Sequence, residues 1–208
     1  MEENEVKERI LIKAEEIFSQ YGYTRVRMDE ISDSLGISKK TLYKYFDSKE
    51  QLMREIVEQM KMRIKTNCHI ICDDQDVDFI HKLKKLMNYI AKQSSRLRGA
   101  LPEDLQKNLP GIWEGINEYR KKEAFTKFSD LIEEGVRKGA FRQDIDQQII
   151  VLMYVNAISE LVRPDVLANL PYTGDQVFET IIKIMFEGIF TDEGRTKYLS
   201  SNNIDKKD

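Results

Sequence analysis

A short window rich in lysine and tyrosine offers the clearest chemistry in this sequence. Residues 38–46 read SKKTLYKYF and hold three lysines, two tyrosines, a serine and a threonine, with no acidic residue. Lysines bind guanine edges and phosphates, a threonine methyl group packs against thymine, and hydroxyl groups bind phosphates. The whole chain has a formal net charge of -3, so the basic character of this window is local. The window therefore predicts a surface that binds the major groove of DNA.

Two short helices joined by a tight turn must position this window. Apolar residues at helical spacing predict a helix over 28–35, after a first helix that ends at Gly22. Gly36 permits a sharp turn, and Ser38 is a suitable N-cap for the next helix. Two helices joined in this way have the dimensions of a helix-turn-helix, whose second helix contacts bases mainly through its N-terminal residues.

The two faces of this helix pair differ in character. Five apolar residues are expected to pack against the first helix: Ile31, Leu35, Ile37, Leu42 and Phe46. The opposite face would present polar and basic side chains to DNA. With the residues that flank the pair, the predicted DNA-binding set is Arg27, Ser38, Lys39, Lys40, Thr41, Tyr43, Lys44, Tyr45 and Lys49. A solvated helix face is the plain alternative, which the turn and flanking helices disfavour.

Residues 5–55 resemble the DNA-binding domain of the TetR family of bacterial regulators. The resemblance rests on AEEIFSQYGY, MDEISDSLGISKKTLYKYF and DSKEQL, which keep their order and spacing. It implies that Thr41, Tyr43 and Tyr45 lie at groove and backbone contacts. It also implies a phosphate contact for Lys49, at the start of the fourth helix.

Three residues depart from the family pattern. Arg27 stands where the family often has a serine or threonine that caps the second helix, and an arginine can bind a phosphate directly. Lys40 stands where glycine is frequent, and Tyr45 where histidine is frequent. The base sequence that this chain prefers therefore does not follow from the resemblance.

The rest of the chain also follows the helical period of 3.6 residues, with few glycines (10) and prolines (4). An all-α fold is predicted, in which a three-helix helix-turn-helix domain precedes a helical ligand-binding and dimerisation domain. Later helices are expected over 48–68, 76–98, 110–138, 145–163 (capped by Asp144) and 175–190. The polar run DDQDVD marks a break in the chain. The predicted divisions are 1–50 for DNA binding, 51–192 for regulation and 193–208 for a flexible tail.

The last two long helices predict a homodimer. Both are apolar on more than one stripe, which exceeds the needs of one internal contact, although a central place in a single core is the alternative. The stretch GAFRQDID at 139–146 resembles the loop before the penultimate helix in many TetR-family members. That resemblance implies that the last two helices pair with their copies in a four-helix bundle. A dimer would place two recognition helices on a palindromic operator.

A small hydrophobic effector is the second expected partner, beside double-stranded DNA. Its pocket would lie among the helices predicted over 76–98, 111–138 and 145–163, although core packing is the alternative for each candidate residue. The predicted function is a DNA-binding transcriptional regulator, a repressor that the effector releases. A ligand-independent DNA-binding structural factor is the alternative. The candidate ligand-binding residues are Met87, Trp113, Ile116, Phe125, Phe128, Met153 and Tyr154.

Metal binding, catalysis and membrane insertion find little support. Cys68, His69, Cys72 and His81 supply only half of a zinc pattern and one further ligand, so free thiols and no metal or cofactor are predicted. Catalytic motifs are missing, and an enzyme using the acids of 114–123 is the remote alternative. The longest apolar runs fall short of the roughly 18–20 residues of a membrane span. Without an export signal, a cytoplasmic location is expected.

Overall fold

The computed structural model describes residues 2–74, 77–95 and 100–201 of the chain. These residues are mainly helical and contain no strand, apart from one isolated β-bridge between Phe141 and Phe190. The predicted all-α class is therefore confirmed. The helices are α1 (Glu2–Tyr21), α2 (Met28–Leu35), α3 (Lys39–Tyr45), α4 (Lys49–Asp73), α5 (Phe79–Ser95), α6 (Ala100–Asn108), α7 (Pro110–Arg137), α8 (Gln147–Leu161), α9 (Pro164–Leu167), α10 (Gly174–Ile189) and α11 (Asp192–Ser201).

The chain divides into two compact units. Unit 1 comprises residues 1–64 and 97–117, and unit 2 comprises residues 65–96 and 118–208. This division differs from the predicted boundary after residue 50. The first part of α4 stays with unit 1, and the chain returns to unit 1 through α6 and the start of α7.

The core of unit 1 fixes α3 against the preceding helices. Ile31, Leu42 and Phe46 are fully buried, and Leu35 and Ile37 pack partly buried against the same cluster. These five residues are the ones whose burial the sequence predicted. Burying one such side chain stabilises the fold by about 1.5–3 kcal/mol, so their contacts determine which face of α3 remains exposed.

Two later segments complete the core of unit 1. Leu105 of α6 joins the cluster, together with Ile112, Trp113 and Ile116 from the first turns of α7. The sequence predicted all four within the regulatory domain. Their apolar surface instead covers the DNA-binding helices, which explains why unit 1 extends beyond the predicted boundary.

Aromatic residues form the core of unit 2. The Phe141 ring lies 5.3 Å from that of Phe79 and 5.2 Å from that of Phe190, between ring centroids. Tyr198 of α11 adds a further ring, 5.2 Å from that of Phe190. A helix therefore occupies residues 192–201, where a flexible tail was predicted from residue 193, because Tyr198 anchors it. Residues 202–208 of that predicted tail lie outside the described residues.

Other helix boundaries also differ from the prediction. Asp146, not Asp144, caps α8, and its side chain accepts a hydrogen bond from the N–H of Ile149 at 3.0 Å. Asp144 instead forms an ion pair with Arg142 at 2.6 Å. The helix predicted over 76–98 is observed as α5 (Phe79–Ser95), and both predicted ends lie outside the described residues.

Among the helices of the described residues, none has the length and apolar character that crossing a membrane requires.

Candidate nucleic-acid interface

The turn between α2 and α3 is built around Gly36. Its φ of 65° lies in the left-handed region, which costs other L-residues roughly 1–2 kcal/mol. The N–H of Gly36 donates to the carbonyl oxygen of Asp33, and that of Ile37 donates to the carbonyl oxygen of Ser32, both at 3.1 Å. These bonds satisfy the last carbonyls of α2, so the chain reverses sharply into α3.

Hydroxyl groups organise the first turn of α3. The Ser38 side chain accepts a hydrogen bond from the N–H of Thr41 at 3.0 Å, as the N-cap prediction required. The two hydroxyl groups of Ser38 and Thr41 also lie 2.8 Å apart. The N-terminal end of the recognition helix is thus held in one conformation by its own side chains.

The outward face of α3 carries most of the predicted DNA-binding residues. Ser38, Lys39, Lys40, Tyr43 and Lys44 are exposed, whereas Thr41 and Tyr45 are half-buried. This face combines cationic, hydroxyl and aromatic groups at the positions that enter the major groove in a helix-turn-helix.

Two lysines of this face already have acidic partners. Lys39 forms an ion pair with Asp29 of α2, and Lys44 forms one with Glu3 of α1 at 2.8 Å. The hydrogen bond to Asp29 raises the pKa of Lys39, and the hydrogen bond to Glu3 raises that of Lys44. Exposed pairs of this kind contribute little to stability, so a DNA phosphate can displace either acid.

An open concavity of about 570 Å³ adjoins α3. It is lined by residues 24–29, by Tyr43, and by residues 47–49 at the start of α4. Arg25 and Arg27 are both exposed there, beside the N-terminal ends of α2 and α4. Cationic side chains at helix N-termini favour anions. Arg25 belongs to this surface, although the predicted set contained only Arg27.

Lys49 is directed into the protein instead. Its ammonium group donates to the carbonyl oxygens of Tyr23 at 2.9 Å, Thr24 at 3.3 Å and Val26 at 2.9 Å. It also lies 4.3 Å from the centroid of the Tyr23 ring. An ammonium group has three N–H donors, so these three carbonyls use all of them. Burial lowers the pKa of Lys49. In this conformation Lys49 holds the α1–α2 turn, and the predicted phosphate contact would require it to leave these bonds.

Asp104 of α6 holds the same turn from another direction. Its carboxylate accepts hydrogen bonds from the N–H of Thr24 at 2.6 Å and from Asn108 at 2.5 Å. Burial alone would raise the pKa of Asp104, but the hydrogen bonds lower it overall. A Cβ atom on Gly22 would lie 2.9 Å from this carboxylate, and the φ of Gly22 is +84°. The sequence does not predict this role of Asp104, because no local pattern links it to a turn eighty residues earlier.

The seven candidate ligand-binding residues are split between the units. Trp113 and Ile116 are buried in the core of unit 1. In unit 2, Met87 and Phe128 are buried and Tyr154 is half-buried, while Phe125 and Met153 are exposed by 39% and 54%. The structure thus does not gather the seven into one cluster, and their ligand role stays a prediction.

The cysteine and histidine candidates lie near the junction of α4 and α5. His69 pairs with Asp73 at 3.1 Å, and His81 pairs with Asp78. Cys68 is a buried free thiol, and burial raises its pKa to about 11. No group of three metal-binding side chains converges within the described ranges.

The turn, the buried face and the exposed cationic face together define a helix-turn-helix DNA-binding protein. Residues 10–56 match the family model for "Bacterial regulatory proteins, tetR family". The DNA-binding domain of this chain is therefore that of the TetR family of transcriptional regulators.

The chain is similar to other regulators along most of its length. The "uncharacterized HTH-type transcriptional regulator YvaF" of Bacillus subtilis is 27% identical over 185 residues, covering 89% of this chain and 96% of that protein. The "HTH-type transcriptional repressor KstR2" of Mycolicibacterium smegmatis is 25% identical, covering 90% and 92%. A transcriptional regulator from Cytophaga hutchinsonii shares the fold, with a TM-score of 0.71 at 18% identity, covering 88% of this chain and 98% of that one.

Proposed function

We propose that this chain is a homodimeric repressor that binds a palindromic operator and leaves it when unit 2 binds a small apolar effector. The exposed face of α3 is the observation that carries the proposal. It holds Lys39, Lys40, Tyr43 and Lys44 outward, on a helix whose other face is anchored in the core of unit 1. Repression is proposed from the KstR2 relative, which is named a repressor. We propose a cytoplasmic location, because the operator is chromosomal DNA.

Exposed apolar residues on α8 and α10 support the homodimer. Ile149, Leu152 and Met153 are 64%, 50% and 54% exposed and recur at helical spacing along one side of α8. Ile184 of α10 is 60% exposed. Covering such residues by a second copy would stabilise the pair, since each side chain removed from water contributes about 1.5–3 kcal/mol.

The effector would act by favouring one of two conformations. α4 and α7 each contribute residues to both units. A shift of either helix in unit 2 can therefore also move its residues in unit 1. An effector shifts the equilibrium only by its difference in affinity for the two states. Three candidate ligand-binding residues of unit 2 are buried or half-buried: Met87, Phe128 and Tyr154. Their side chains favour an apolar ligand. We propose no catalytic role for the acids of 114–123.

Titrating DNA with two matched lysine variants tests the DNA-binding part of this proposal. Lys40 is an exposed residue of α3, and Lys197 is an exposed lysine of α11 that pairs with Glu193. Lys40→Ala should weaken DNA binding and reduce the slope of log affinity against log salt by about one, whereas Lys197→Ala should change neither. If the two variants had the same DNA affinity and the same salt slope, a DNA contact through α3 would be refuted. An effector screen on the operator complex then separates a regulated repressor from a ligand-independent DNA-binding factor.

A further inference from the structure

Arg120 is a partly buried cation on α7, in the part of that helix that belongs to unit 2. Helical spacing places it on the same side of α7 as Ala124, Phe128 and Leu131. Phe128 and Leu131 are only 4% and 3% exposed. Arg120 therefore stands on the buried face of α7, where an apolar residue would be expected.

Within residues 2–74, 77–95 and 100–201, Arg120 has no acidic partner and no hydrogen-bond acceptor. Two other cations of unit 2 have acidic partners. Lys82, which is 5% exposed, lies 3.3 Å from Glu134, and Lys121 lies 3.1 Å from Glu160. Burial lowers the pKa of Arg120 to about 10, so the guanidinium group remains charged at neutral pH. Its five N–H donors thus lack a described counter-charge.

A partly buried charge without a counter-charge is costly, and a bound anion would offset that cost. The planar guanidinium group can donate two parallel hydrogen bonds to the oxygens of a carboxylate or phosphate. These hydrogen bonds are stronger where water is partly excluded. Ala124, one turn further along α7, has no side chain beyond Cβ. The partial exposure of Arg120 leaves a route by which an anion can reach it.

We propose that Arg120 is the anion-binding group of the effector site in unit 2, and that the effector carries a carboxylate or phosphate on an apolar body. This inference rests on the proposed function, because it requires that unit 2 binds an effector. It adds the charge of that effector, which the apolar candidate residues do not define. The buried residues Met87 and Phe128 are suited to the apolar part.

Thermal unfolding of a variant that lacks the charge is the first test of the inference. Arg120→Met keeps an unbranched side chain and removes the unpaired cation. In buffer without multivalent anions, its melting temperature should equal or exceed that of the unchanged protein. Inorganic phosphate should raise the melting temperature of the unchanged protein and not that of Arg120→Met. A lower melting temperature for Arg120→Met, with no phosphate effect on either protein, would show a structural role and overturn the inference.

Calorimetric titration with matched probes tests the class of ligand. The probes are decanoate, decanoyl-coenzyme A, coenzyme A alone and the neutral decanol. At least one anionic probe should bind the unchanged protein, and Arg120→Gln should weaken it about tenfold to hundredfold. Arg120→Lys should recover part of that loss, and Lys121→Gln should behave like the unchanged protein. Binding of decanoate indicates a carboxylate ligand, and binding that needs coenzyme A indicates a phosphate.

Two results would overturn the inference and leave different parts of the proposed function standing. If decanol binds as tightly as the anions and Arg120→Gln changes nothing, the effector site is apolar and Arg120 is not part of it. If no probe binds while the same preparation still binds DNA, the anion site is refuted and DNA binding is unaffected. Loss of DNA binding in the unchanged protein would instead refute the proposed function itself.

Discussion

The Asp104 carboxylate accepts hydrogen bonds from both the N–H and the hydroxyl group of Thr24, at 2.6 and 2.5 Å. Lys49 binds the carbonyl oxygen of the same Thr24 and those of Tyr23 and Val26. The α1–α2 turn is therefore held by an anion on its N–H groups and by a cation on its carbonyls. This turn leads into Arg25 and the start of α2, so both residues position the surface that we propose faces DNA.

Lys49→Ala should destabilise unit 1. Three carbonyl oxygens would lose their donor, and an unsatisfied buried group costs about 1–3 kcal/mol. Chemical denaturation should show a fall of about that size in the free energy of unfolding, while Lys13→Ala, at a partly exposed lysine of α1, should stay within about 0.5 kcal/mol. Unchanged stability with a smaller salt slope of DNA binding would contradict this role and support the phosphate contact that the sequence predicted.

The pH dependence of stability should reveal the contribution of the Asp104 carboxylate. Its folded-state pKa is lowered, so its stabilising effect is complete above the unfolded value of about 3.9 and is lost as the pH falls through the folded value. Asp104→Asn should therefore be less stable than the unchanged protein at neutral pH, with a difference that shrinks below about pH 4. Thermal melts of both proteins across the acidic range would measure this difference. A difference that is constant with pH would show that the charge of Asp104 plays no part.

Asp29→Asn should strengthen DNA binding at low salt. Asp29 holds Lys39 in an ion pair, and its removal frees that ammonium group for a phosphate or a base edge. Because exposed pairs are worth about 0–1 kcal/mol, we expect an increase of up to about fivefold in affinity. Fluorescence anisotropy can measure it, with Glu193→Gln on α11 as the control. Weaker binding by Asp29→Asn would mean that Lys39 depends on Asp29 for its position.

Leu152→Glu should dissociate the proposed dimer. A charge at the centre of the exposed apolar stripe of α8 would be buried without a partner on association. Sedimentation should then detect monomers at concentrations where the unchanged protein is dimeric. Ile12→Glu, at a residue of α1 that is 56% exposed, is the matched control and should remain dimeric. If both variants stay dimeric, another surface forms the dimer.

The helix-turn-helix could be predicted because its signals are local. Gly36, Ser38 and the apolar residues of α2 and α3 lie within a few positions of one another, and each has one dominant structural use. The N-cap of α8 was harder to predict, since Asp144 and Asp146 are both suitable caps. Asp146 caps the helix, whereas Asp144 pairs with Arg142.

The remaining features depend on contacts between distant parts of the chain. Trp113 was predicted at a ligand site, but α6 and the start of α7 return to unit 1 and bury it there. Lys49 was predicted at a phosphate, yet the carbonyl oxygens of a turn more than twenty residues earlier accept its hydrogen bonds. Such contacts leave no periodic or compositional signal in a single sequence.

Selection of binding sites from a random DNA library tests the central claim most directly. Two copies of α3 on a dimer should enrich an inverted repeat, with half-sites about one helical turn apart. Lys39→Ala should change the enriched half-site, because its side chain lies at the start of the recognition helix. Lys197→Ala should select the same sequence as the unchanged protein. Enrichment of no sequence, or of one that Lys39→Ala leaves unchanged, would contradict the account.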